Sequence, residues 1–259
     1  MSNIPLLRKT SSLVSLPNLR ENIRMLREFV GPKVKVLLVV KADAYGHGIV
    51  QCSQAAQREG VDWLGVALVE EGMVVRQAGV TTPTLVFGAL NREGMEAAAQ
   101  NDLTVPLPDV NSVQLAQAAA QLTGKPIDAH IKLDTGMNRI GARNKEELLA
   151  LLAALKQAPL VHVNGVFTHF ADADTPAREY TDFQLARFRE LLPLLPEGLL
   201  VHAAATGAAL FRPDAHFDMV RVGTGLYGYP PEGSPVAFKP CVRIAAEITF
   251  VKTLQAGES

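Results

Sequence analysis

Eight short runs rich in apolar and β-branched residues recur along the chain, at 35–41, 62–69, 84–89, 103–107, 127–134, 161–169, 199–204 and 219–226. Amphipathic or alanine-rich helical patterns lie between them, at 51–59, 70–77, 92–100, 110–121, 145–157 and 180–194, with a short one near Ala208 and a leading one at 19–29. No other feature restricts the fold as much. A helix between two strands returns the chain to the end from which it started, so strands alternating with helices pair in parallel. Eight such units close into a (β/α)8 TIM barrel, which takes roughly 200–250 residues. An open doubly wound sheet is the rival, but it normally carries G-x-G-x-x-G after its first strand, and here that turn reads KADAYGHG. Asp109 and Asn144 stand where helix N-caps belong.

The texture changes after Tyr229. PPEGSP is a turn-rich joint, and residues 236–259 are strand-like with no helix to follow. The expected organisation is a barrel over 1–230, then, over 231–259, a linker and the start of a C-terminal β-domain that is truncated at Ser259.

Charge and cysteine usage narrow the partners. The formal net charge is -1, with acids and bases interspersed, so no basic stripe points to nucleic acid or a membrane surface. Cys52 and Cys241 form no CxxC pair and have no histidine at ligand spacing, so they are expected to be reduced core residues, with no metal site. The N-terminus lacks the apolar core of a signal peptide, and no apolar stretch approaches membrane-spanning length. A cytoplasmic protein acting on a small molecule is the expectation.

A barrel does its chemistry at the carboxyl ends of its strands, and polar residues gather there. The first run ends on Lys41, the fifth leads into DTGMNRIG with Arg139, and the sixth ends in THFADAD with His169. The seventh ends in HAAATGA with Thr206, and the eighth in RVGTGLYG with Arg221, Gly223 and Thr224. A lysine amine at a buried strand end suits a Schiff base with a carbonyl. Small glycine and threonine turns after the last two strands are where barrels bind phosphate. Together they point to pyridoxal 5′-phosphate.

VVKADAYGHG, KLDTGMNRIG, THFADAD and MVRVGTGLYG, in that order and spanning nearly the whole chain, resemble alanine racemase. The resemblance implies that Lys41 holds pyridoxal phosphate as a Schiff base and acts as base on one face of the substrate Cα. It places Tyr45 by the cofactor's phosphate, and Thr206, Gly223 and Thr224 as the phosphate cradle. Arg139 would bond the phenolic oxygen, braced by a carbamylated lysine at the position of Lys132, and His169 would pack by the pyridine ring. Arg221 would donate to the pyridine nitrogen and keep it unprotonated, since a guanidinium does not readily release its proton. The implied reaction interconverts L-alanine and D-alanine, supplying D-alanine for cell-wall peptidoglycan, in a homodimer whose subunits share the active site.

Two positions depart from that pattern. The family usually has asparagine and serine at the end of the seventh strand, where this chain has Ala205 and Thr206, so the hydroxyl is kept and one polar side chain is lost. The second acid–base group of the family is a tyrosine on the C-terminal β-domain of the opposite subunit, and none of Tyr45, Tyr180, Tyr227 or Tyr229 matches it. Losing one such partner costs about 10²–10⁴ in rate, so this chain alone is expected to bind the cofactor and racemise poorly. The alternatives are a free-standing barrel that holds pyridoxal phosphate without turnover, a relative acting on another D-amino acid, and a barrel of unrelated activity. Taken singly, His169 reads as a hydrogen-bonded core histidine and Arg139 and Arg221 as ion-pair partners. His47 reads as structural, and His130, His162, His202 and His216 carry no constellation.

Overall fold

The computed structural model describes residues 10–175 and 179–258, in ten strands and nine α-helices. In chain order they are β1 (Ser11–Val14), α1 (Leu16–Val30), β2 (Lys35–Val39), α2 (Lys41–Gly46), α3 (Ile49–Arg58), β3 (Trp63–Val66), α4 (Val69–Gln77), β4 (Thr84–Val86), α5 (Arg92–Gln100) and β5 (Val105–Leu107). There follow α6 (Val110–Thr123), β6 (Ile127–Lys132), α7 (Lys145–Leu155), β7 (Val161–Phe167), α8 (Glu179–Leu191), β8 (Leu200–His202), α9 (Thr206–Phe211), β9 (Met219–Val222) and β10 (Val242–Ala245). All eight expected strands form, as β2 to β9, each shorter at its ends than the apolar run that encodes it.

Regular ladders join β4-β3-β2-β9 and β5-β6-β7-β8 as two parallel four-stranded sheets. Two seams complete the ring. At one, Thr104 N–H donates to Thr84 O and Val86 N–H to Thr104 O, both at 2.9 Å. At the other, Asp218 N–H reaches Val201 O at 3.0 Å and Arg221 N–H reaches Ala204 O at 2.9 Å. The result is the (β/α)8 barrel, with parity deciding what faces where. Leu37, Val39, Leu85, Phe167 and Met219 pack together within the ring, while Val36, Leu38, Val220 and Val222 belong to the larger core under the helices. Burial on both faces explains why these runs read as continuously apolar.

The caps follow the chemistry of orphan N–H groups. Asp109 accepts from Ser112 N at 2.8 Å, and Asn144 accepts from Glu147 N at 2.9 Å. α8 tightens to a 3₁₀ turn over Leu192–Leu194, where Pro193 cannot continue the α-helical ladder. The strand-like texture after residue 236 condenses into β10 alone, which pairs antiparallel with β1, a strand the sequence pattern does not announce. Asn22 of α1 holds the connecting segment, donating to Leu226 O and Lys239 O at 2.9 and 2.8 Å.

Candidate active site

β2 does not end on Lys41. It ends at Val39, and Lys41 opens a left-handed turn in which Ala42, Asp43, Ala44 and Tyr45 all have φ of 51–54°. Four consecutive L-residues in that region are strained, so the turn needs external support. Glu71 at the start of α4 provides it: its carboxylate accepts from Ala42 N at 2.6 Å, Ala67 N at 2.7 Å and Leu68 N at 3.2 Å. Asp43 closes the exit by accepting from Ile49 N at 2.7 Å. Tyr227, 1% exposed, underpins the turn by donating to Val39 O at 3.0 Å while its ring lies against His47 and Tyr45. The left-handed path returns the chain at once and brings Lys41 and Tyr45 to the same cleft.

That cleft, about 510 Å³ at the carboxyl ends of the strands, is lined by all nine expected residues: Lys41, Tyr45, Lys132, Arg139, His169, Thr206, Arg221, Gly223 and Thr224. They arrive from five strand ends: Lys41 and Tyr45 follow β2, Lys132 and Arg139 belong to β6 and its loop, His169 follows β7, Thr206 follows β8, and Arg221, Gly223 and Thr224 lie at the end of β9. The DTGMNRIG loop is wound around Asp134, whose carboxylate accepts from Gly136 N, Asn138 N and Arg139 N at 2.7–3.0 Å. Burial opposes ionisation there, yet those three donors hold its carboxyl below the usual range. The same loop delivers Arg139, and Tyr180 of α8 clamps it by donating to Gly136 O at 2.7 Å.

Arg221 is the electrostatic centre. It is 4% exposed, and among the described residues no carboxylate pairs with it. Nη2 donates to Thr168 O at 2.8 Å, Ala203 O at 2.9 Å and His169 Nδ1 at 3.2 Å, and Nη1 donates to His202 Nδ1 at 3.1 Å. Burial, and then Arg139, push it down to about 9, which leaves it cationic at neutral pH. Its field acts on its neighbours. Burial and Arg221 push His169 down to about 3, with Arg139, Lys132 and Lys41 adding to the effect. Burial and Arg221 likewise push Lys132 down to about 7, against the pull of Asp134. Lys132 donates to Leu133 O at 2.7 Å and sits 5.3 Å from the centre of the Phe167 ring.

Thr206 lines the same cleft, and its Oγ1 accepts from Gly223 N at 3.3 Å. A Cβ on Gly223 would stand 2.5 Å from the Tyr45 hydroxyl, so glycine is required for that hydroxyl, the Thr206 hydroxyl and the 223–224 backbone to converge. A hydroxyl-rich, small-residue corner, a buried cation and a lysine amine lining one cleft fit an aromatic aldehyde bearing a phosphate. The residues present therefore suit pyridoxal phosphate.

Two functional candidates escaped the sequence reading. His202 lies inside the barrel bonded to Arg221, and His130 is bonded to His202, which corrects their assignment as histidines without a constellation. The usable signal was parity, since His130 is two residues before Lys132 on one strand and therefore shares its inward face. His47 is structural as expected, its Nδ1 bonded to the carbonyls of Ala44 and Tyr45 at 2.9 and 3.0 Å.

Comparison with known proteins follows the same line. The family model of the alanine racemase N-terminal domain matches residues 14–231. The chain is 37% identical to alanine racemase 1 of Bacillus subtilis, covering 100% of this chain and 68% of that protein. It is 35% identical to alanine racemase 2 of Oceanobacillus iheyensis, covering 95% and 64% respectively. Among solved structures, an alanine racemase of Clostridium difficile 630 superposes with a TM-score of 0.90 at 31% identity, over 99% of this chain and 68% of that one. A histidine racemase from Leuconostoc mesenteroides superposes with a TM-score of 0.87 at 27% identity, over 99% and 70%. The chain thus spans about two thirds of the length of these relatives.

Proposed function

The chain belongs to the alanine racemase family, and we propose that it binds pyridoxal 5′-phosphate at Lys41 and serves the interconversion of L-alanine and D-alanine. The observation that carries the proposal is the convergence of all nine residues on one cleft around a buried arginine that has no acidic partner among the described residues. When bound, the cofactor supplies an electron-poor ring that takes up the charge left as a Cα–H bond breaks.

The chain's own groups do the rest. Lys41 carries the proton to and from the substrate Cα on one face. Arg221 presents N–H donors to the ring nitrogen and, holding its own protons, keeps that atom unprotonated, which favours proton exchange over other reactions at Cα. His169, uncharged at neutral pH and oriented by Arg221, packs by the ring. Tyr45, Thr206, Gly223 and Thr224 hold the phosphate. Arg139 donates to the phenolic oxygen. Lys132 braces Arg139 as a carbamate: an amine near pKa 7 is substantially uncharged at neutral pH, and only the uncharged amine adds carbon dioxide.

Racemisation needs a second acid–base group on the opposite face. Of the tyrosines, Tyr45 lines the cleft, and we assign it to the phosphate. We place the second group in the part of the relatives' length that this chain does not span, contributed across a homodimer, and expect slow turnover from these 259 residues alone. We also divide the chain near residue 230, between the barrel and the segment that leads to β10, and place the reaction in the cytoplasm, feeding D-alanine to peptidoglycan. The protein partner is a second copy of the chain, not nucleic acid or a membrane.

The test is to mix the purified chain with pyridoxal phosphate, reduce with borohydride and map the modified peptide. A single adduct on Lys41, lost in Lys41→Arg, is expected. Labelling scattered over surface lysines would refute the site.

A further inference from the structure

Beneath the cleft the barrel interior holds a line of polar rings that the proposed chemistry does not use. His202 Nδ1 lies 3.1 Å from Arg221 Nη1, and His202 Nε2 lies 2.9 Å from His130 Nδ1. A guanidinium only donates, so His202 Nδ1 bears no hydrogen and its proton is on Nε2. That N–H donates to His130 Nδ1, which puts the His130 proton on Nε2 in turn. Both rings are uncharged. Burial and Arg221 push His130 down to about 3, against the pull of Asn164, and the same two causes, with His130 and Lys132 adding to them, lower His202 well below its ordinary value.

The surroundings hold His130 in that pose. Trp63 packs on its ring at 5.0 Å, and a Cβ on Gly165 would stand 2.6 Å from its Nε2. β6 and β7 change register between Ala129 and His130, which leaves Asn164 as the extra residue and sets Gly165 opposite the imidazole. His202 stacks on Phe167 at 5.0 Å with the planes 2° apart. Apart from the weak pull of Asn164, the His130 Nε2 is buried without a well-formed hydrogen bond. A ring kept for packing alone would do better without that polar atom, so the value of the imidazole lies at Nδ1.

We propose that His130 is a positioning residue for this active site: by accepting at Nδ1 it locks His202 as the Nε2–H tautomer, whose Nδ1 then orients the Arg221 guanidinium toward the cofactor. The inference rests on the function proposed above for the role of Arg221. Without the acceptor at His130, His202 gains access to the Nδ1–H tautomer, which sets donor against donor at Arg221.

His130→Leu removes the acceptor, and His130→Asn, of similar volume, returns an oxygen near the Nδ1 position. Two-bond ¹H–¹⁵N correlations on ¹⁵N-histidine chain read each ring's tautomer without cofactor or turnover. The native chain is expected to show His130 and His202 both as Nε2–H. In His130→Leu, His202 becomes a tautomer mixture and the affinity for pyridoxal phosphate, titrated by absorbance, falls about tenfold, the scale of one lost hydrogen bond. His130→Asn restores both. Retention of the pure Nε2–H form of His202 in His130→Leu, or a native His130 protonated on Nδ1, overturns the proposal. Should His130→Leu fail to fold, the native tautomers and His130→Asn still decide it. Failure of the native chain to label at Lys41 would sink the functional reading while leaving the tautomer result standing.

Discussion

Glu71 is the residue whose removal should disturb the site most for the smallest change in chemistry. Left-handed helical geometry costs about 1–2 kcal/mol per L-residue, so the turn from Ala42 to Tyr45 stores about 4–8 kcal/mol. Glu71 offsets part of it through three charge-assisted hydrogen bonds. The N–H groups of Ala42 and Leu68 are at exposed positions and can turn to water, so each is worth about 0.5–1 kcal/mol. Ala67 N is half-buried and worth about 1–2. Glu71→Ala should therefore destabilise the chain by about 2–4 kcal/mol, and Glu71→Gln, which keeps one oxygen, by about half as much. With an m-value of about 2–3 kcal/mol/M, Glu71→Ala lowers the urea midpoint by about 1 M at unchanged slope, followed through the single tryptophan, Trp63. The rate of borohydride trapping at Lys41 should fall at least about tenfold, because the turn sets the amine's position. A midpoint within about 0.2 M of the native chain, together with unchanged trapping, would show that the turn is held without Glu71 and that the reasoning is wrong.

Gly223→Ala should weaken pyridoxal phosphate binding at least about tenfold, since the new Cβ must displace the Tyr45 hydroxyl from 2.5 Å; an absorbance titration reads it, and unaltered affinity would argue against the cradle. Lys132 ties stability to pH. Its pKa falls from about 10.5 unfolded to about 7 folded, so the unfolded chain binds more protons between those values and stability rises with pH across that window. In carbonate-free buffer Lys132→Met should remove that rise, by up to about 1.4 kcal/mol per pH unit within the window, and urea midpoints across it would show whether it does. Tyr227→Phe should cost about 1–1.5 kcal/mol by leaving Val39 O without its donor, measured by chemical denaturation, and should slow trapping at Lys41 less than Glu71→Ala does.

The strands and their order were legible because burial on both faces writes uninterrupted apolar runs, and helix starts at Asp109 and Asn144 were legible because caps are local chemistry. The nine cleft residues were legible from motifs at strand ends. What the sequence concealed is non-local. The left-handed turn after Val39 depends on Glu71, some thirty positions downstream, and reads as an ordinary loop. β1 is visible only through its pairing with β10. His130 and His202 are 72 positions apart and meet because two strands in one sheet face them inward. A lone histidine inside an apolar run gives no hint of that partner.

The two seams of the ring divide the site as well as the sheet. Lys41, Tyr45, Arg221 and Gly223 are carried by the half built from β4, β3, β2 and β9, whereas Lys132, Arg139, His169 and Thr206 are carried by the half built from β5 to β8. Arg221 crosses that boundary with all four of its side-chain hydrogen bonds. Neither half holds the whole cleft, so the nine lining residues share one cavity only where both seams are joined. A substitution that loosens either seam should therefore reach every lining residue, including those carried by the other half.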